Sequence, residues 1–190
     1  MNTSTNIDNN TTWELFISKG SNEALSRMYY CHYDILYYGG LKYTSDIQIV
    51  EDSIQNVFVY LLKNRDKLKS VTNVRSFLFK SFRRQLFDDL KKQKQLFFPD
   101  QLVEMQFDYF NGTEQFIFEK EKEDDNKLLS ALRKSLSKLS DRQKEILYLR
   151  FDYELSYEEI SDVLEISVDS CYKSVYRSIK TIKADIEQIF

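Results

Sequence analysis

Breakers are scarce in this chain of 190 residues: Pro99 is the one proline, and glycine occurs only at Gly20, Gly39, Gly40 and Gly112. So few breakers favour long helices over turn-rich sheets. The two cysteines, Cys31 and Cys171, are too few and too far apart for a disulfide framework. They read as reduced thiols in a reducing compartment, so a cytoplasmic location is expected. No apolar run approaches the roughly 18 residues that a membrane span needs, and no membrane insertion is expected. The stretch Met1 to Asn10 lacks the basic and apolar regions of a secretory signal. Histidine occurs once, as His32 in a tyrosine-rich stretch, where a structural role is expected. A Gly-rich phosphate loop, a Cys-x-x-Cys pair and an acid pair with a base beside it are all missing. Glu158 and Glu159 read as helix N-terminal charge rather than an acid–base pair. The expectation is a protein that is not an enzyme and needs no cofactor and no metal.

What is present is an ordinary globular balance, 42% hydrophobic and 30% charged, over a length that suits one large domain or two small ones. The net charge of −3 conceals a segregation. Residues 1–62 carry a net −4, residues 63–94 a net +8, residues 96–126 a net −7, and residues 127–190 balance. A strongly cationic block in an acidic protein points to a local site for a polyanion.

The apolar residues fall at helical spacing. Residues 12–19 predict a short helix capped by Thr11 or Thr12 and ended by Gly20. Ser21 caps a second helix that runs to Gly39–Gly40, with Leu25, Met28, Tyr29, Ile35 and Leu36 on its apolar face. Ile47, Val50, Ile54, Val57, Phe58, Leu61 and Leu62 recur at steps of three and four, one stripe of an amphipathic helix. Past a polar, basic connector, Lys63 to Asn73, another helix begins near Thr72 or Asn73, with Phe77, Leu78, Phe82, Leu86 and Leu90 inward. Residues 93–126 lose this periodicity. Phe97, Phe98, Phe107, Tyr109, Phe110, Phe116 and Phe118 are interleaved with acids, which predicts a linker, with a short helix from 114 onward and aromatic parts that dock on a neighbour.

Helical spacing returns with Leu128, Leu129, Leu132, Leu136 and Leu139. Ser140 caps a helix through Phe151, and Ser156 caps another, with Glu159 completing a capping box. Ser167 caps the last helix, whose apolar positions are Val168, Val175, Ile179, Ile182, Ile186 and Ile189. Ser156 to Lys183 has helix-turn-helix form. Ile160, Val163, Ile166 and Val175 close a small core, and the opposite face of the second helix is free for a major groove. Ser170, Lys173, Ser174, Arg177 and Lys180 sit on that face, cations for phosphates and polar groups for base edges. Glu165 stands in the turn where such motifs prefer glycine.

Two blocks resemble the sigma factors of bacterial RNA polymerase, in the sigma-70 family and its extracytoplasmic-function class. Leu139, Arg142, Gln143, Ile146 and Leu147, then Leu155, Ser156, Tyr157, Glu159 and Ile160, then Ile166, Ser167, Val168 and Ser170 resemble the fourth conserved region. Cys171 and Tyr172 replace the usual Val-Lys there. Tyr29–Tyr30, Asp52, Gln55, Val57 and Phe58 resemble the second region, as do Phe77, Leu78, Arg83, Asp88, Leu90 and Lys91. Phe77 stands where Trp is usual and Arg84 where Asn is usual. The resemblance covers residues 12–95 and 127–185.

The resemblance implies an all-α fold of two small helical domains. Residues 1–95 form a region 2-like domain, 96–126 an acidic aromatic linker, and 127–190 a region 4-like helix-turn-helix domain. Core RNA polymerase is the implied partner of Asp52, Gln55, Asn56 and Phe58. Single-stranded −10 promoter DNA is the implied partner of Lys80, Arg83, Arg84, Lys91 and Lys92, within the +8 block. In the family, the loop at the position of Lys63 to Asn73 captures an extruded base. Duplex −35 DNA is the implied partner of Ser170, Lys173, Ser174, Arg177 and Lys180. An anti-sigma factor is implied as well. The competing reading is a conventional helix-turn-helix regulator that binds duplex operators as a dimer, which leaves the basic helix and the Asp52/Gln55/Phe58 positions unexplained.

Overall fold

A computed structural model describes residues 3–97, 106–111 and 123–187. Every regular element among them is helical, and the chain divides into two compact units, Met1–Val103 and Glu104–Phe190. No helix among the described residues is long and apolar enough to cross a membrane.

The first unit holds α1 (Thr3–Lys19), α2 (Asn22–Leu41), α3 (Ile47–Asn64), a 3-10 turn (Arg65–Leu68) and α4 (Val74–Phe97). Helix α1 starts well before residue 12, because a polar Thr/Asn stretch leaves no apolar period to read yet can extend a helix that Trp13 and Phe16 anchor in the core. Gly20 ends it at φ +66, a left-handed conformation that glycine adopts without strain. Ser21 caps α2, its Oγ accepting from the Ala24 N–H at 3.1 Å. Gly39 and Gly40 lie inside α2 rather than beyond it. A Cβ on Gly40 would sit 2.6 Å from a Val50 methyl and 2.9 Å from the Phe82 ring, so the bare backbone is what lets α2, α3 and α4 meet.

Asp46 caps α3 through the Ile49 N–H, and its other oxygen accepts from Gln93 Nε2 of α4 at 3.0 Å. These bonds to Gln93 and Ile49 hold the Asp46 carboxyl below the usual range. Val50, Ile54, Val57, Phe58 and Leu61 of α3 and Leu78, Phe79, Phe82 and Leu86 of α4 are all buried in the core, where the two helices pack, each such side chain contributing about 1.5–3 kcal/mol by leaving water. Ile47 and Leu62 break the expected stripe and are about half exposed. Asn73 starts α4 by accepting from the Ser76 N–H at 2.9 Å. Asp89 ties α4 to α3, accepting from Ser53 Oγ at 3.0 Å and Gln85 Nε2 at 2.8 Å. His32 is buried in this core; desolvation, helped by the Arg75 charge, pushes it down to about 4, so it is neutral at pH 7.

The second unit holds α5 (Glu123–Ser137), α6 (Asp141–Leu147), a π-helical turn (Tyr148–Asp152), α7 (Tyr157–Leu164) and α8 (Val168–Glu187). The short helix expected from 114 falls mostly outside the described residues. Ser140 with Gln143 and Ser156 with Glu159 form complete capping boxes. The stretch after Ser140 is not one α-helix. At Tyr148 it widens, with the Tyr153 N–H donating to the Tyr148 carbonyl at 3.0 Å and the Leu155 N–H to that of Leu149 at 2.9 Å. That extra residue per turn buries Tyr148, Leu149, Tyr153 and Leu155 together and turns Phe151 out to water.

Helix α8 meets the core through Cys171, Val175 and Ser178, while Val168 and Ile179 are exposed. The expected apolar face is therefore rotated, because the small side chains at 171 and 178 are the ones that admit neighbouring helices at close range. The described part of the linker is a packed element of this unit. Phe107 is buried against Tyr148, ring centroids 5.8 Å apart, and the Tyr109 hydroxyl donates to Asp152. Burial and that carboxylate raise the Tyr109 pKa. Arg133 lies over the Phe110 ring at 4.8 Å.

Glu165 makes the turn of the helix-turn-helix at φ 54, ψ 46, left-handed for a residue with a side chain. Arg142 Nη2 donating to the Leu164 carbonyl at 2.5 Å and Ser161 Oγ donating to that of Ile166 at 2.5 Å hold it there. Left-handed geometry costs an L-residue about 1 kcal/mol. Glu165→Gly is accordingly expected to raise the melting temperature of the second unit by a few degrees; a lower value in a thermal melt would show that the side chain has a stabilising role of its own.

Candidate nucleic-acid and polymerase interfaces

Of the four residues expected to meet polymerase, three share an open face. Asp52, Gln55 and Asn56 are exposed on α3, away from the Val50/Ile54/Val57/Leu61 stripe, and Gln48 Nε2 donates to Asp52 Oδ1 at 3.0 Å. Phe58 does not join them. It is 6% exposed and its ring meets Tyr29 with centroids 5.0 Å apart, so it supports the face from beneath. Val59 and Leu62, at 45% and 53% exposure, take the apolar part on that face. Leu62 reads with the buried stripe because it follows Phe58 by four residues; the signal that separates them is the centre of the stripe, which passes through Ile54, Val57 and Leu61.

The basic residues of α4 form an outward row. Lys80, Arg84 and Lys91, at steps of four and seven, lie on the side opposite Leu78 and Phe82. Arg84 and Lys91 are exposed, Lys80 half-buried. Arg83 flanks the row, its guanidinium 4.2 Å from the centre of the Phe87 ring, which in turn packs edge-on against Tyr43 at 5.1 Å. Lys92 lies off the row and pairs with Asp89 at 3.5 Å; an exposed lysine gains at most about 1 kcal/mol from such a pair, so it is readily given up to a phosphate. The Phe87–Tyr43 support went unseen in the sequence, since it joins residues of two different segments. Beside the connector, Trp13, Ile17, Lys69, Val71 and Thr72 line an open cleft of about 560 Å³.

On α8, Lys173, Arg177 and Lys180 are exposed on one face, with Ser170 exposed and Ser174 half-buried at its edge. The Ser170 hydroxyl is engaged at 2.7 Å by Ser167, whose Oγ also accepts from the Ser170 N–H. Lys173 Nζ pairs with Asp169 at 2.6 Å, both side chains exposed. Asp169, Tyr172 and Tyr176 stand on this part of the helix without a signal of their own in the helical spacing, the two tyrosines being exposed. Among the described residues no group of three or more His, Cys, Asp or Glu could hold a metal ion.

A helix-turn-helix unit with a cationic outer face, and a separate helical unit with its own cationic row, define a class: multidomain helical proteins that engage nucleic acid. The family follows from the sequence comparison. The model described as sigma-70 region 2 matches residues 28–95, and that described as sigma-70, region 4 matches residues 129–182. The chain belongs to the sigma-70 family. No curated protein matches the sequence significantly. Among solved structures, CnrH in complex with the cytosolic domain of CnrY is 16% identical, with 96% of this chain and 97% of that chain covered and a TM-score of 0.56. The sigma factor RpoE from Bartonella quintana, in complex with the anti-sigma factor NepR, is 15% identical, with 85% and 96% covered and a TM-score of 0.57. At these identities the likeness is one of fold.

Proposed function

We propose that this protein is an extracytoplasmic-function sigma factor that brings core RNA polymerase to promoters in the cytoplasm. The outer face of α3, with Asp52, Gln55, Asn56, Val59 and Leu62, meets polymerase. The α4 row and the connector beside the cleft engage the −10 element as it opens, the cations along the backbone and the connector on an unpaired base. Helix α8 reads the −35 duplex. Opening in this scheme draws on binding energy released along the strand. An anti-sigma partner fits the reading, since the sigma factor RpoE, a solved protein of this fold, is seen with the anti-sigma factor NepR. The observation that carries the proposal is the co-location of the cationic row on α4 with the matched region 2.

The deciding experiment is transcription in vitro with purified core polymerase on a random promoter library. Specific initiation that requires this protein is expected. Initiation no different from core alone, together with dimeric binding to duplex operators, would replace the proposal with the regulator reading. Within the same system, Arg177→Ala should weaken binding to all −35 variants alike and lower the salt slope by about one unit. Lys173→Ala should cost ~1–3 kcal/mol at one base position. If neither change moves the preference profile or the salt slope, α8 is not the reader.

A further inference from the structure

Tyr172 and Tyr176 stand one turn apart on α8, 60% and 67% exposed, beside Lys173 and Arg177. Tyrosine, with an apolar ring and a polar tip, is enriched where a protein meets a partner. Tyr172 has an ordered setting. Its ring packs on Tyr157 with centroids 4.3 Å apart and planes 34° from parallel. The Arg150 guanidinium lies 5.1 Å from the Tyr157 ring centre, and Arg150 is itself held by the Leu155 carbonyl at 3.0 Å. The stack thus joins the π-helical turn, the first helix of the motif and the second.

Tyr157 is the first residue of α7, and Tyr172 lies in the N-terminal half of α8. In helix-turn-helix docking the first helix crosses the sugar–phosphate backbone, and the N-terminal part of the second enters the groove. Tyr172 is therefore carried at the junction of backbone and groove. The neighbouring Lys173 and Arg177 favour a polyanion there over an apolar protein surface.

We infer that the Tyr172 hydroxyl donates a hydrogen bond to a backbone phosphate of the −35 duplex, with Tyr157 and Arg150 as positioning residues. The inference rests on the reading of α8 as the −35 helix. The family pattern carries lysine at this position. A neutral donor displaces no counterion, so the contact made here is insensitive to salt where a lysine contact is not. The stacked ring also surrenders little rotamer freedom on binding.

The test uses holoenzyme assembled from the full chain and core polymerase, bound to a promoter fragment selected from a random library, over a series of salt concentrations and −35 variants. Tyr172→Phe keeps the ring and its stack and removes the hydroxyl alone. It is expected to weaken binding about five- to tenfold, equally across −35 variants, with the salt slope unchanged. Tyr172→Lys should recover affinity at low salt and steepen the slope by about 0.9. Tyr157→Leu should weaken binding like Tyr172→Phe, again with an unchanged slope, although the hydroxyl is still present. Parental affinity for Tyr172→Phe overturns the inference. So does a drop in core-polymerase affinity in place of promoter affinity, which would assign the aromatic edge to a protein contact. Arg177→Ala separates the two levels: weakening there with none in Tyr172→Phe ends this inference only, while no weakening in either ends the reading of α8.

Discussion

Replacing Asp52 and Gln55 together with alanine is expected to lower affinity for core polymerase by about thirtyfold, the scale of truncating a residue central to an interface, while the chain stays folded. Both side chains are exposed on α3, and neither touches the Val50/Ile54/Val57/Leu61 core. The one bond removed, from Gln48 to Asp52, is solvent-exposed, and alanine suits a helix interior at least as well. Leu62→Glu probes the apolar part of the same face, where a charge would have to be desolvated on docking; a comparable drop in affinity is expected. A pull-down titration with purified core polymerase measures both, with circular dichroism as the check on folding. Unchanged affinity in both variants would remove α3 as the polymerase face.

The second large effect belongs to α4. Arg84→Ala with Lys91→Ala takes two exposed cations from the outward row without touching the core. Affinity for polymerase should hold, promoter opening should fall about tenfold at moderate salt, and the salt slope should drop by about 1.5 for two single-strand phosphate contacts. Permanganate reactivity of unpaired thymines in the −10 region reads the opening. Reactivity equal to the parent would reduce the row to a solvated helix face. Arg83→Ala is a less clean probe, because its guanidinium packs on Phe87 and truncation would also disturb the Phe87–Tyr43 contact.

The candidate site was partly legible from the sequence. Lys173, Arg177 and Lys180 share a face because helical spacing alone puts them there. Arg84 and Lys91 share another for the same reason. Phe58 was read two ways: helical spacing puts it in the apolar stripe, where it is buried, while the resemblance implies a polymerase contact that its burial on α3 does not offer directly. Tyr172 was visible only as a departure from a pattern. Its stack on Tyr157 joins residues fifteen apart in sequence across a turn and needed coordinates.

The sequence by itself determined most of the helices, their caps at Ser21, Ser140, Ser156 and Ser167, and the concentration of positive charge in residues 63–94. All of these depend on neighbours within about four residues, the reach of a helical hydrogen bond or a capping side chain. Only the tertiary structure decided how far each helix is rotated about its axis. An apolar stripe spans a wide arc, and close approach by other helices selects its centre. That selection falls at Gly40, Cys171 and Ser178, where small residues admit a neighbour, and it leaves Leu62 and Ile179 facing solvent. The same holds for the π-helical turn at Tyr148 and the docking of Phe107 upon it. Both satisfy one local packing demand that involves segments some forty residues apart, so no short window of sequence contains it.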